Sequence, residues 1–223
     1  MIEFLRHSLV IAGKDLTLEM RSKERVVSML IFAVLVAVVF NFAMDPTETR
    51  PIAAMVWVTV LFVGMLGLGR SFGLEREQEA LVGVLLTPID RGAVFLGKFL
   101  ANLVVLLVAT AAVYLVYALF FTVSFVRGGG ALVLLTLLAC IGFMALGTLF
   151  SAIAANTRLG ETLLPIILLP LMIPVVIFAS EGTRRLLEGR SMEDIASSIR
   201  MLGAFDVIFV VVATLMFEWV VQE

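Results

Sequence analysis

RSFGLEREQEALVGVLLTPIDR, Arg70 to Arg91, is the one long polar interruption in the first two-thirds of the chain. Its first half carries Arg70, Glu75, Arg76, Glu77 and Glu79. Its second half is apolar at Leu81, Val82, Val84, Leu85 and Leu86, too short a run to cross a bilayer. Ser71 suits a helix start, and acids at 75, 77 and 79 suit the positive end of a helix dipole. Thr87–Pro88 disfavours continuing, because proline pushes the preceding residue out of helical geometry. The stretch is predicted as a short helix on the membrane surface between two spans. A charged helix tethered at both ends to membrane helices is a lever for a soluble partner. Its docking candidates are Arg70, Phe72, Glu75, Glu77, Glu79 and Leu81.

Composition supports the bilayer on either side. Of 223 residues, 61% are hydrophobic and 15% charged, against about 45–50% and about 25% in soluble domains. Mean hydropathy is +1.12. A net charge of −2 offers no case for nucleic-acid binding. The single cysteine, Cys140, excludes a disulfide or an all-cysteine metal site within one chain. Residues 1–25 hold five basic and four acidic residues with no uninterrupted apolar core, so they do not read as a signal peptide.

The expected fold is an all-α integral membrane protein forming a single domain over residues 1–223. Apolar side chains at Ile2, Leu5, Leu9, Ala12 and Leu16 make residues 1–25 an amphipathic helix lying in the interface. Six spans follow, at about 26–44, 52–69, 93–125, 131–155, 162–180 and 201–221. The third is long enough to tilt or project. The fifth holds Pro165, Pro170 and Pro174 and is expected to be bent or broken. Residues 181–200 are polar, with Ser191 and Asp194 placed as a capping box. Met192, Ile195, Ile199 and Leu202 give an amphipathic segment expected to lie on the outer membrane surface. Ten basic residues fall on the N-terminal side and six on the other, favouring cytoplasmic termini.

Catalytic constellations are missing from the sequence. It has no G-x-x-x-x-G-K-[ST] loop, so ATP must be bound by another chain. His7 and the eleven methionines read as interfacial and packing residues rather than haem ligands. Candidates for a pathway or gate are Lys98, Asn102, the three prolines and Asp206. Lys98 reads most simply as snorkelling to the interface, Asn102 as bonding across helices, and Asp206 as sitting near the outer face.

From Trp57 through LFVGMLGLGRSFGLEREQEALVGVLLTPIDRGAVFLGKFLAN to Asn102, and again over LLPIILLPLMIPVVIFAS, Leu163 to Ser180, the chain resembles the CcmB family. That family supplies membrane subunits of the cytochrome c maturation ABC transporter. The resemblance implies a haem exporter permease in the bacterial inner membrane, non-catalytic itself and paired with a separate ATPase subunit, CcmA. It also implies association with CcmC, CcmD and, indirectly, the haem chaperone CcmE. The resemblance implies haem export, release of the haem-loaded chaperone, or both, with haem a candidate substrate rather than a cofactor held by this chain. Because ABC ATPases work as two-site dimers, two copies of the subunit are expected per complex. Two other readings compete: a type-2 ABC exporter permease for a lipid, drug or polysaccharide, and a membrane scaffold that translocates nothing.

Overall fold

The computed structural model describes residues 2–44, 51–77, 90–155 and 160–220. Its helices are α1 (Ile2–Ser22), α2 (Glu24–Ala43), α3 (Ile52–Glu77), α4 (Arg91–Phe121), α5 (Gly129–Ala155), α6 (Gly160–Leu187) and α7 (Met192–Val220), with a 3₁₀ turn at Phe125–Gly128. Six of them, α2 to α7, are long and apolar enough to cross a membrane. The protein is a multi-pass, all-helical membrane protein, as its apolar runs require.

Burial sorts the helices. In α5, 72% of the most apolar stretch is buried, against 17% in α2 and 22% in α7, so α5 is the central helix. It packs against α7 along much of its length, and against α6, α4 and α3. The exposed apolar faces of α2, α6 and α7 (Ile31, Leu35, Ile166, Ile173, Val207, Leu215) are what lipid demands of an outer ring.

Three element boundaries differ from expectation. The helix of the second span runs on unbroken through Arg70 to Glu77, so no helix starts at Ser71. Leu74, Glu75, Arg76 and Glu77 are good helix formers, and no proline stands in the way. The rest of the expected surface helix, including Glu79 and Leu81, lies outside the described residues. The next helix begins where Asp90 caps it, its Oδ1 accepting from the Gly92 amide at 2.8 Å.

The third span stops at Phe121 rather than Phe125, because Thr122 adopts a left-handed conformation, φ 56. Phe125 then folds back, its ring 4.8 Å from that of Tyr114.

The polar segment 181–200 has no separate surface helix. Its first part extends α6 to Leu187, because Arg184 pairs with Glu181 and Glu188 while Arg185 pairs with Glu181, all at helical spacing. Its second part begins α7. Half of the expected capping box forms there: Asp194 Oδ2 accepts from the Ser191 amide and from its hydroxyl, each at 3.1 Å, with aspartate in the usual glutamate role. Of the stripe expected to rest on the membrane, Ile195 and Leu202 are fully buried and Ile199 partly so, while Met192 is exposed. Gly182 of α6 makes room, lying against Leu135 of α5 and Ser198 of α7. Pro165, Pro170 and Pro174 all sit inside α6, which remains one helix over Gly160–Leu187 rather than broken.

Candidate functional site

The N-terminal helix is where charge enters the bundle. Ser8, Ile11 and Ala12 are buried, and Asp15 and Glu19 continue the same face of α1 at helical spacing. That face lies on the first turns of α4. The fit is close: a Cβ at Gly97 would stand 2.7 Å from the Ser8 carbonyl oxygen and 2.8 Å from Ile11 Cβ. Only glycine lets the two backbones meet there.

Each inward acid of α1 finds a cation. Asp15 Oδ2 lies 3.7 Å from Lys98 Nζ of α4, and Glu19 Oε2 lies 3.8 Å from Arg25 Nη1 of α2. Lys98 is 6% exposed and Arg25 7% exposed, too buried to remain unpaired. Arg25 also donates from Nη2 to Asn102 Oδ1 at 3.0 Å, and Asn102 Nδ2 donates to Thr148 Oγ1 of α5 at 3.3 Å. On its remaining side Arg25 Nε lies over α3, where a Cβ on Gly67 would be 3.3 Å from it. One guanidinium therefore touches α1, α3 and α4, and reaches α5 through Asn102. Both Arg25 Nε and Glu19 Oε1 are buried without a hydrogen-bond partner.

A second polar layer lies at the other end of the same helices. Trp57 Nε1 donates to Thr183 Oγ1 at 2.8 Å, joining α3 to α6. Tyr117 and Thr59 share a 2.7 Å hydrogen bond between α4 and α3, and Tyr114 meets Thr136 at 2.8 Å between α4 and α5. These neutral bonds tie helices without charge, as suits groups inside a span.

Of the sequence candidates, the structure unites Lys98 and Asn102 in the first layer. Lys98 is buried against α1, which brings Asp15 to it. Asn102 bonds across helices as expected. Asp206 stands apart from both layers. Its span begins at Met192 rather than Met201, so the carboxyl lies deeper than the outer face. It faces Gly142 of α5, which is six residues, about 9 Å, along the helix from Thr148. It is 8% exposed, and the backbone of Gly142 is the one polar group its carboxyl approaches among the described residues. Pro165, Pro170 and Pro174 lie along α6, with Pro170 exposed. Arg70, Phe72, Glu75 and Glu77 belong to the last two turns of α3.

Sequence reading missed Asp15, Glu19 and Arg25 as a set. The available signal was weak: two acids four apart on an otherwise apolar helix face, and an arginine at the mouth of an apolar run. Chemically the cluster offers no nucleophile or metal set. Among the described residues, no three His, Cys, Asp or Glu side chains converge. What it does is fasten the ends of five helices at one level.

Comparison with known proteins agrees with this architecture. The family model described as "CcmB protein" matches residues 6–222. Heme exporter protein B of Rhodobacter capsulatus is 29% identical over 187 residues, covering 81% of this chain and 84% of the relative. Heme exporter protein B of Paracoccus denitrificans is 30% identical over 179 residues, covering 77% of this chain and 80% of the relative. Since the match takes in α1, all six spans and both polar layers, the chain belongs to the CcmB family.

Proposed function

We propose that this chain is the transmembrane subunit of an ATP-driven complex serving cytochrome c maturation. There it exports haem, or releases the haem-loaded chaperone CcmE, or does both. The observation that carries the reading is the family match over residues 6–222, with relatives named Heme exporter protein B. The chain has no phosphate-binding loop of its own, so ATP is hydrolysed by a separate subunit of the CcmA kind. CcmC and CcmD complete the complex, which holds two copies of this subunit. The complex sits in the bacterial inner membrane with both termini of this chain in the cytoplasm, the side favoured by the ten-to-six bias in basic residues.

In this reading α3 and α4 act as one lever. Residues 70–91 link them and present Arg70, Phe72, Glu75, Glu77, Glu79 and Leu81 to the ATPase. Closure of the ATPase pushes that segment, and α3 and α4 carry the push into the bundle. Lys98 and Asn102 lie on α4 and receive the push directly, while Asp206 and the α6 prolines are the candidates for a pathway or gate in the helices beyond.

The test reverses the charges of Glu75, Glu77 and Glu79 together. The ATPase should leave the membrane fraction while this subunit remains inserted. Co-purification at the wild-type level would remove residues 70–91 as the docking site.

A further inference from the structure

The docking segment is continuous in sequence with α3 and α4, so a push on it reaches those two helices. α3 and α4 pack on each other directly, and where they near the dock Arg25 joins Met29 of α2 over Gly67 of α3 while its Nη2 donates to Asn102 of α4. Arg25 belongs to neither α3 nor α4. It sits two residues past the junction of α1 and α2, where Lys23 takes a left-handed conformation, φ 53, that turns the chain between them.

From outside, α1 closes over the same place. Glu19 faces Arg25 at 3.8 Å and Asp15 faces Lys98 at 3.7 Å. Both separations exceed the 2.7–3.2 Å of a direct hydrogen bond, so the hold is by charge rather than by fixed geometry. A charge pair of this kind tolerates small sliding that would break a hydrogen bond. Glu19 Oε1 and Arg25 Nε, buried without partners, leave capacity for a second arrangement in which the pair draws closer. At Gly97, by contrast, α1 and α4 touch backbone to backbone and must move as one.

We propose that α1 and Arg25 form a clamp that makes α3 and α4 move together, with Glu19 and Asp15 as positioning residues for energy coupling. The clamp rests on the reading of residues 70–91 as the ATPase dock. It assigns α1 a part in transmission as well as in lying at the interface. Neutralising Glu19 releases Arg25 from α1, and a push on the dock is then lost in relative slippage of α3 and α4.

The test uses the whole complex in lipid nanodiscs, with ATP hydrolysis and cytochrome c maturation both measured. Glu19→Gln keeps the shape of the side chain and should leave the ATPase bound. ATP consumed per cytochrome c matured should rise by about 5-fold or more, the lower end of typical coupling effects. Arg25→Glu should do the same, and combining it with Glu19→Arg should recover most of the lost coupling. A purely structural ion pair would lower the yield of folded complex without changing that ratio. The clamp is overturned if Glu19→Gln couples as wild type does, or if the charge swap is no better than the worse single variant. If Arg25→Glu fails to accumulate, Asp15→Lys with Lys98→Asp gives the equivalent swap on the second pair, read the same way. Loss of the ATPase from the glutamine variant would also overturn the clamp, placing Glu19 in the dock itself. Failure of the docking reading shows separately, as an ATPase retained after charge reversal at 75, 77 and 79.

Discussion

Asp206 is the residue whose presence costs the protein most visibly. A buried carboxyl whose one polar neighbour is the Gly142 backbone is poorly compensated, and replacing such groups with an apolar side chain of similar shape is often favourable. Leucine has the same branching, two δ atoms on one γ atom, and meets the same niche left by Gly142. Asp206→Leu should therefore raise stability by about 1 kcal/mol or more, read as a higher thermal midpoint in unchanged detergent. A lower midpoint would mean that the carboxyl is held by contacts stronger than its surroundings indicate. At this scale the sequence announced polar positions but not their partners. Asn102 was legible as a bond across helices because an amide inside an apolar run has few alternatives. Lys98 was not legible, since its partner Asp15 is 83 residues away and reaches it only once α1 has folded onto α4.

Helices proved easier to read in their middles than at their ends. The apolar runs of α2 to α7 are unmistakable because lipid imposes them. Their ends are set by short-range polar chemistry that a hydropathy pattern treats as interruption. Arg184 and Arg185, bound to Glu181 and Glu188 one turn away, lengthen α6 where charge had suggested an exit from the membrane. The stripe Met192–Leu202 has the period of a surface helix, yet it begins a span, because Gly182 admits Ser198 and much of the stripe is covered. Periodicity reveals that a face is apolar and leaves open what covers it. The join between α1 and α4 depends on one small residue. Gly97→Val should force α1 off α4, since the added Cβ alone would stand 2.7 Å from the Ser8 carbonyl oxygen. Hydrogen exchange in α1 should quicken by about tenfold or more while the spans stay protected, as expected when a docked element opens on its own. Unchanged exchange in α1 would show that its anchorage lies elsewhere.

For the whole molecule, six spans return the chain to the side from which it started, and α5 and α7 run parallel within the bundle. The all-helical, multi-pass architecture was fully legible in composition. The arrangement around a central α5 was not, because apolar residues facing lipid and facing other helices look alike in sequence. A single chain brings one docking segment, while a two-site ATPase needs two. Native mass measurement of the intact complex should therefore find two copies of this subunit for each ATPase pair. One copy with two ATPase subunits would contradict that stoichiometry. The seat of α1 on α4 also sets a timetable for biosynthesis. Ser8 and Gly97 are 89 residues apart, so the ribosome makes Ser8 roughly 4–18 s before its seat exists, at about 5–20 residues per second. During that interval two further helices must enter the translocon while α1 waits on the near side, its inward acids still hydrated. The first segment to be made is thus among the last to settle, and a chain truncated before α4 would leave α1 with nowhere to lodge.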